Sequence, residues 1–212
     1  MEIKGIIFDL DGVICFTDKY HYLAWKKMGG DEGIEVDESV NDRLRGVSRA
    51  ESLEIVLEKT VKVYSPEEKK YLMEKKNNIY RDYLKTMTPA DVSDEVRKTL
   101  DELRSKGLKL AIGSSSKNAK FILERVGLKD FFDAVSDGEN IQRTKPDPQV
   151  FLMAADMLGL DPGSCIVVED AQAGIDAACA GGFASAGLGP ARDYEKTRFR
   201  LDTFSDLLKY IS

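Results

Sequence analysis

The sequence predicts an α/β fold: a parallel sheet covered on both faces, with a block of helices inserted after its first strand. Three observations predict it. From residue 89 onward, short and almost wholly apolar runs alternate with helical patterns, as expected for strands buried on both faces. A run of the same kind, Ile3 to Phe8, opens the chain. Between them lie charged, helically patterned residues from 17 to 86, too long a stretch for a bare connection. The expected organisation is an α/β core made of residues 1–16 and 87–212, with a helical cap at 17–86.

The elements follow in order. Within the insert, Ser48-Arg49-Ala50-Glu51 and Ser65-Pro66-Glu67-Glu68 match the Ser-x-x-Glu box that closes a helix start, the second with proline at the favoured first position. Leu108 to Ile112 is the next strand, ending in Gly113-Ser114-Ser115-Ser116. A helix through Phe121, Ile122, Leu123 and Val126 stops at Gly127. Phe132 to Val135 reads as a short strand, and Lys145-Pro146-Asp147-Pro148 as a loop before a helix carrying Val150, Phe151, Ala154, Ala155 and Leu158. Cys165 to Val168 is a strand that stops abruptly at Glu169-Asp170. A helix over Ala171–Ala180 and a strand over Phe183–Leu188 complete the pattern.

Composition narrows the function classes. Of 212 residues, 31 are Lys or Arg and 37 Asp or Glu, a net charge of −6. That field opposes non-specific binding to nucleic acid or to an anionic membrane. No run approaches the roughly 18 apolar residues of a membrane span, and Gly5-Ile6-Ile7-Phe8 is too short for a secretory signal core. Cys15, Cys165 and Cys179 show no paired spacing and read as reduced, mostly buried thiols of a cytoplasmic protein. His21 is the sole histidine, which excludes a zinc site built on a His pair.

The chemistry gathers where strands end. Asp9-Leu10-Asp11-Gly12 follows the first strand directly. In an extended chain residues i and i+2 point the same way, so both carboxylates face one place, and Gly12 permits a sharp turn. Ser114 follows the strand at 108–112, beside an expected helix start, and offers a hydroxyl and backbone donors to an anion. Lys145 supplies a compact cation. Glu169 and Asp170 add hard oxygen ligands suited to Mg²⁺ rather than zinc or copper. Each has an ordinary alternative: a helix cap for Ser114, a solvated charge for Lys145, a favourable helix-start charge for Glu169-Asp170. Yet all four lie at the edge of an open parallel sheet where ligands bind. Ser116, Lys117 and Asn118 offer a second anion site clear of Asp9, and Arg49 can grip a phosphate with its planar fork, or pair with Glu51 or Glu54 on its own helix.

These motifs, in this order, resemble those of the haloacid dehalogenase superfamily of phosphoryl-transfer enzymes, and the resemblance spans the chain, helical insert included. It implies a Rossmann-like core with an inserted cap, and catalytic Asp9, Asp11, Ser114 and Lys145. Asp9 would be the nucleophile, Asp11 the general acid and base, and Mg²⁺ would be held by Asp9, the Asp11 carbonyl, Glu169 and Asp170. Thr17, His21, Trp25, Arg45-Gly46-Val47-Ser48-Arg49, Lys76-Asn77, Ser116-Lys117-Asn118 and Asp170-Ala171-Gln172-Ala173-Gly174 resemble the subgroup that interconverts β-glucose 1-phosphate and glucose 6-phosphate through a sugar bisphosphate. Thr17, His21, Trp25, Arg45, Gly46, Arg49, Ser52 and Lys76 from the cap would then bind substrate, with Ser115, Ser116, Lys117 and Asn118 from the core. Phe16 stands where that subgroup often has an acidic residue, and Arg45 where it often has lysine. The implied partner is a small sugar phosphate, with no nucleic acid and no membrane, acting on a monomer. A sugar-phosphate phosphatase is the nearest alternative. A phospho-receiver domain fits less well, because it lacks the insert and takes phosphate on a middle strand, where this chain has Ser114.

Overall fold

The computed structural model describes residues 2–44 and 48–211. Two compact units emerge, one holding the chain up to Phe16 and again from Thr88, the other running from Thr17 to Met87.

The first unit is built on a six-stranded sheet: β1 (Gly5–Phe8), β2 (Lys109–Gly113), β3 (Ala134–Ser136), β4 (Cys165–Glu169), β5 (Ala184–Gly187) and β6 (Phe199–Arg200). Its strand order is β3-β2-β1-β4-β5-β6, and every neighbouring pair is parallel. β1 is central, with Gly5–Phe8 in register with Lys109–Ile112 on one side and Cys165–Val168 on the other. Connections leave β1 in both directions, so the carboxyl ends of β1, β2 and β4 flank a topological switch point, where ligands bind in such sheets.

The central strands are mostly apolar, since both faces of the sheet are covered. Ile7, Ala111 and Val167 pack with Val150, Phe151 and Ala154 of helix α7 (Gln149–Leu158). The other helices of this unit are α5 (Asp94–Ser105), α6 (Ala119–Arg125) and α8 (Gln172–Ala180).

Several boundaries differ from expectation. β3 starts at Ala134 rather than Phe132, because the Asp133 carboxylate itself accepts the Leu110 N–H at 2.8 Å, a place a ladder carbonyl would otherwise take. α6 starts at Ala119 with Asn118 as its N-cap residue, so residues 114–117 form the loop that leads into the helix start. Helix α5 has no counterpart among the expected elements, although Val96, Thr99, Leu100 and Leu103 form a buried stripe at helical spacing. Cys15 and Cys165 are buried, but Cys179 is exposed.

The second unit is helical among the described residues: α1 (Asp18–Asp31), α2 (Glu38–Leu44), α3 (Arg49–Leu57) and α4 (Pro66–Leu84). Both Ser-x-x-Glu sequences form reciprocal capping boxes, Ser48 with Glu51 and Ser65 with Glu68. Trp25, Met28, Leu53, Val56 and Leu72 make its core. Among the described residues, no helix is long and apolar enough to cross a membrane.

Candidate active site

The site begins where β1 stops. The Asp9 N–H donates to the Val168 carbonyl at 2.9 Å, extending the ladder by one residue and fixing where the Asp9 side chain emerges. Asp9 is 8% exposed. Gly12 then takes φ +84°, a conformation costly for a residue with a Cβ. It is also required by contact: a Cβ there would lie 2.0 Å from Asp170 Oδ2. The Asp170 carboxylate therefore rests against the Asp11–Gly12 turn, which joins the ends of β1 and β4.

Lys145 lies in the loop before α7. Its ammonium donates to Asp9 Oδ1 and, at 2.6 Å, to Glu169 Oε1, and it sits 4.6 Å from the centre of the Phe151 ring. Glu169 Oε2 accepts the N–H groups of Asp170 and Ala171, each at 3.0 Å. Glu169 is thus a fixed anchor between the lysine and the strand-to-helix turn. It has room only because residue 174 is glycine, since a Cβ there would fall 1.9 Å from the Glu169 carboxyl carbon. Gly174→Ala is expected to push that carboxylate off Lys145 and to destabilise the protein by about 1–3 kcal/mol, read as a lowered urea midpoint together with lost turnover. A midpoint and a turnover both unchanged would remove Glu169 from this role.

The carboxyls of Asp9 and Glu169 meet the Lys145 ammonium here, and Asp11 lies near enough for its charge to act on Asp9 and on Asp170. Burial raises the Asp9 carboxyl well above the usual carboxylate range, Lys145 opposing and Glu169 and Asp11 adding to the rise. Burial and the Glu169 carboxylate push Asp170 up to about 7. Burial acts to lower the Lys145 ammonium, but Asp9 and Glu169 outweigh it and hold it charged. The carboxyls are not gathered into a ready cage: no group of three or more metal-ligating side chains converges among the described residues, and Lys145 bridges Asp9 and Glu169. Still, uncompensated negative charge, hard oxygen donors and the space Gly12 leaves for Asp170 fit a divalent cation that keeps part of its water shell.

Beyond β2, the Ser114 N–H continues the sheet to the Ser136 carbonyl at 3.0 Å. The Ser114 hydroxyl accepts the Ser116 N–H, and the Ser116 hydroxyl accepts the Asn118 N–H, each at 3.2 Å. These two local bonds hold the chain out of helix. Each hydroxyl keeps its own O–H to donate. Ser115 has a buried hydroxyl with no hydrogen-bond partner, Lys117 is exposed and Asn118 is buried. α6, which follows, is only seven residues long, so what the loop offers is its side chains and local N–H groups rather than a helix end.

Of the cap residues singled out in sequence, Arg45 and Gly46 lie outside the described residues. Thr17, His21, Trp25 and Lys76 form one cluster. Tyr80 donates its hydroxyl to Thr17 Oγ1 at 3.2 Å and stacks on His21 at 4.0 Å between ring centres. The buried Lys76 ammonium lies 2.8 Å from His21 Nδ1 and 5.0 Å from the Trp25 ring centre. Trp25 is part of the cap core. Arg49 donates to Asn77 Oδ1 at 2.9 Å rather than to Glu51 or Glu54, and Ser52 is buried.

Burial, with Lys76 and Arg49 adding, holds the His21 pKa well below 6.5. His21 is therefore neutral when folded, with Nδ1 accepting from Lys76. Unfolded, it takes a proton below about 6.5, so stability is lost as pH falls from there toward the folded value. Urea midpoints are expected to drop below pH 6.5, by up to roughly 1.4 kcal/mol per pH unit for this one group, and His21→Gln should remove that component. An unaltered pH slope in the variant would contradict it.

Sequence reasoning passed over Gln149, whose Oε1 accepts the N–H groups of Gln142 and Arg143 at 2.9 and 2.8 Å and so holds the loop that carries Lys145. A glutamine at a helix start gives no sequence signal of that role.

Comparison with known proteins agrees with this geometry. A family profile described as haloacid dehalogenase-like hydrolase matches residues 3–182. The chain is 41% identical over 189 residues to a β-phosphoglucomutase of Bacillus subtilis, covering 88% of this chain and 84% of that one. It is 29% identical over 184 residues to a phosphorylated carbohydrates phosphatase of Thermotoga maritima, covering 85% and 82%. The crystal structure of a β-phosphoglucomutase from Clostridium difficile superposes with a TM-score of 0.86 at 38% identity, over 98% of this chain and 95% of that one. The profile match over residues 3–182 and the 41% identity over most of both chains place it: the chain belongs to the haloacid dehalogenase-like hydrolase family.

Proposed function

We propose that this protein is a β-phosphoglucomutase, converting β-D-glucose 1-phosphate to glucose 6-phosphate through β-glucose 1,6-bisphosphate. The observation that carries the reading is the 41% identity to the Bacillus subtilis enzyme over most of both chains, above the 29% to the Thermotoga maritima phosphatase.

Asp9 is the nucleophile. A carboxylate oxygen of its aspartyl-phosphate form hands the phosphoryl group to the sugar 6-hydroxyl, whose proton Asp11 accepts. The bisphosphate then presents its other phosphate. Asp9 attacks that phosphorus, the bond to the C1 oxygen breaks, and Asp11 returns the proton to the leaving oxygen, releasing glucose 6-phosphate and restoring aspartyl-phosphate. Lys145 and Ser114 neutralise and orient the transferring oxygens. Mg²⁺ would be held by Asp9, the Asp11 carbonyl and Asp170, with Glu169 beside them, and when bound supplies charge neutralisation at the phosphoryl oxygens. Ser116, Lys117 and Asn118 of the core take the phosphate that is not reacting, and Arg49 is the cap's own phosphate-binding side chain. Thr17, His21, Trp25, Arg45, Gly46, Ser52 and Lys76 shape the sugar side of the cap. Every residue invoked lies on this one chain, which we take to work as a cytoplasmic monomer.

The test is turnover of β-glucose 1-phosphate with Mg²⁺ and a trace of the bisphosphate, scored for glucose 6-phosphate and for free phosphate, with the α anomer alongside. Glucose 6-phosphate from the β anomer alone is expected. Free phosphate without isomerisation would make the protein a sugar-phosphate phosphatase instead.

A further inference from the structure

The loop that follows β3 is built against the loop that follows β2 at one point. The Gly138 N–H donates to the Ser116 carbonyl at 3.1 Å, one step beyond the bond from the Ser114 N–H to Ser136. The space where a Cβ would stand at residue 138 is already full: it would lie 2.3 Å from the Ser115 carbonyl oxygen, 2.9 Å from the Lys117 nitrogen and 3.0 Å from Lys117 Cγ. Two of those three atoms are backbone, so a flexible side-chain tip cannot relieve the clash. Gly138 has no left-handed φ, so its backbone conformation does not demand glycine. The contact does.

The turn carrying Gly138 is itself anchored. Asp137 has a fully buried side chain, accepts the Glu139 N–H at 3.0 Å, and pairs with Lys120 of α6 at 3.1 Å. The Asn140 side chain accepts the Asp137 N–H at 2.9 Å. The Asp137–Gly138 turn is thus pinned to the helix that leaves the 114–118 loop and pressed on that loop's middle. None of its atoms belongs to the group around Asp9.

We infer that Gly138 is a positioning residue for the second phosphate. Its missing side chain sets the place of the Ser115–Lys117 backbone, and through it the Ser116 hydroxyl and the Lys117 ammonium, while Ser114 stays held by Ser136. The inference rests on the mutase reading, because only an enzyme that holds two phosphates at once needs that place kept.

Gly138→Ala should therefore act selectively. The KM for β-glucose 1,6-bisphosphate is expected to rise on the order of tenfold or more, the scale of misplacing a binding group by about an ångström. Hydrolysis of acetyl phosphate, which carries one phosphate and needs only the Asp9 side of the site, should fall far less. Lys120→Gln, an exposed change that frees Asp137 without adding an atom to the interior, should shift the same ratio in the same direction by a smaller factor, and it keeps the test open should Gly138→Ala not fold. Equal loss of both activities in the variants, or no change in either, would overturn the inference. Wild-type protein in the same assays separates the two ideas: no isomerisation by wild type defeats the mutase reading, whereas normal wild-type isomerisation with an unshifted ratio in both variants defeats only the role of Gly138.

Discussion

Asp9→Asn is expected to reduce turnover by on the order of 10⁴-fold or more, since it removes the atom that accepts the phosphoryl group and leaves no substitute nucleophile in place. The loss should appear in isomerisation and in acetyl phosphate hydrolysis alike, because both run through the same carboxylate. The fold should survive. The variant keeps the backbone N–H that donates to Val168, and exchanging a buried carboxylate for an amide relieves part of the negative charge that Glu169, Asp11 and burial press on that position. Retention of most of the turnover would show that another group carries phosphate.

The second large effect concerns Lys145. Its ammonium bridges Asp9 and Glu169, and the side chains of Asp9, Glu169 and Lys145 are 11%, 2% and 11% exposed. Truncating one partner of a buried ion pair costs about 3–5 kcal/mol, because the other partner stays buried without a countercharge. Lys145→Met keeps an unbranched apolar side chain and removes the ammonium that lies over the Phe151 ring. It is therefore expected to lower stability by about 3 kcal/mol and turnover on the order of 10²–10³-fold, the scale of losing one preorganised charge at a transferring oxygen. Denaturant unfolding and steady-state kinetics on the same preparation would read both. A stable variant with normal turnover would reduce Lys145 to a bystander.

The chain's own pattern exposed the fold wherever a strand was buried on both faces. Residues 6–8, 110–112 and 165–168 read as apolar runs because each of these residues is buried in the sheet. The carboxyl ends of those runs are also where Asp9, Ser114 and Glu169 had to stand, so the core of the site was legible together with the sheet. β6 was not, because two residues, Phe199 and Arg200, carry no period. The helix start after β2 was legible, with Asn118 as the N-cap residue of α6; the two turns before it, held by the Ser114 and Ser116 hydroxyls, were not. Contacts made by absence were the least legible. Gly174 and Gly138 matter for the atoms that fill the space of their missing Cβ, Glu169 in one case and the Ser115–Lys117 backbone in the other. A sequence records the glycine but not its neighbour. The pairing of Lys76 with His21 was hidden in the same way, by 55 residues of separation.

The most direct test follows the phosphorus atom through a single turnover. Enzyme first phosphorylated with unlabelled bisphosphate is mixed with an equimolar amount of β-glucose 1-phosphate labelled in its phosphate, with Mg²⁺ present, and quenched after one turnover. If Asp9 passes phosphate to the 6-hydroxyl and then recovers the phosphate from C1, the first glucose 6-phosphate is unlabelled and the label sits on the protein, in the peptide that contains Asp9. Label appearing as free phosphate, with no glucose 6-phosphate formed, or label carried directly into glucose 6-phosphate with none on the protein, would contradict it.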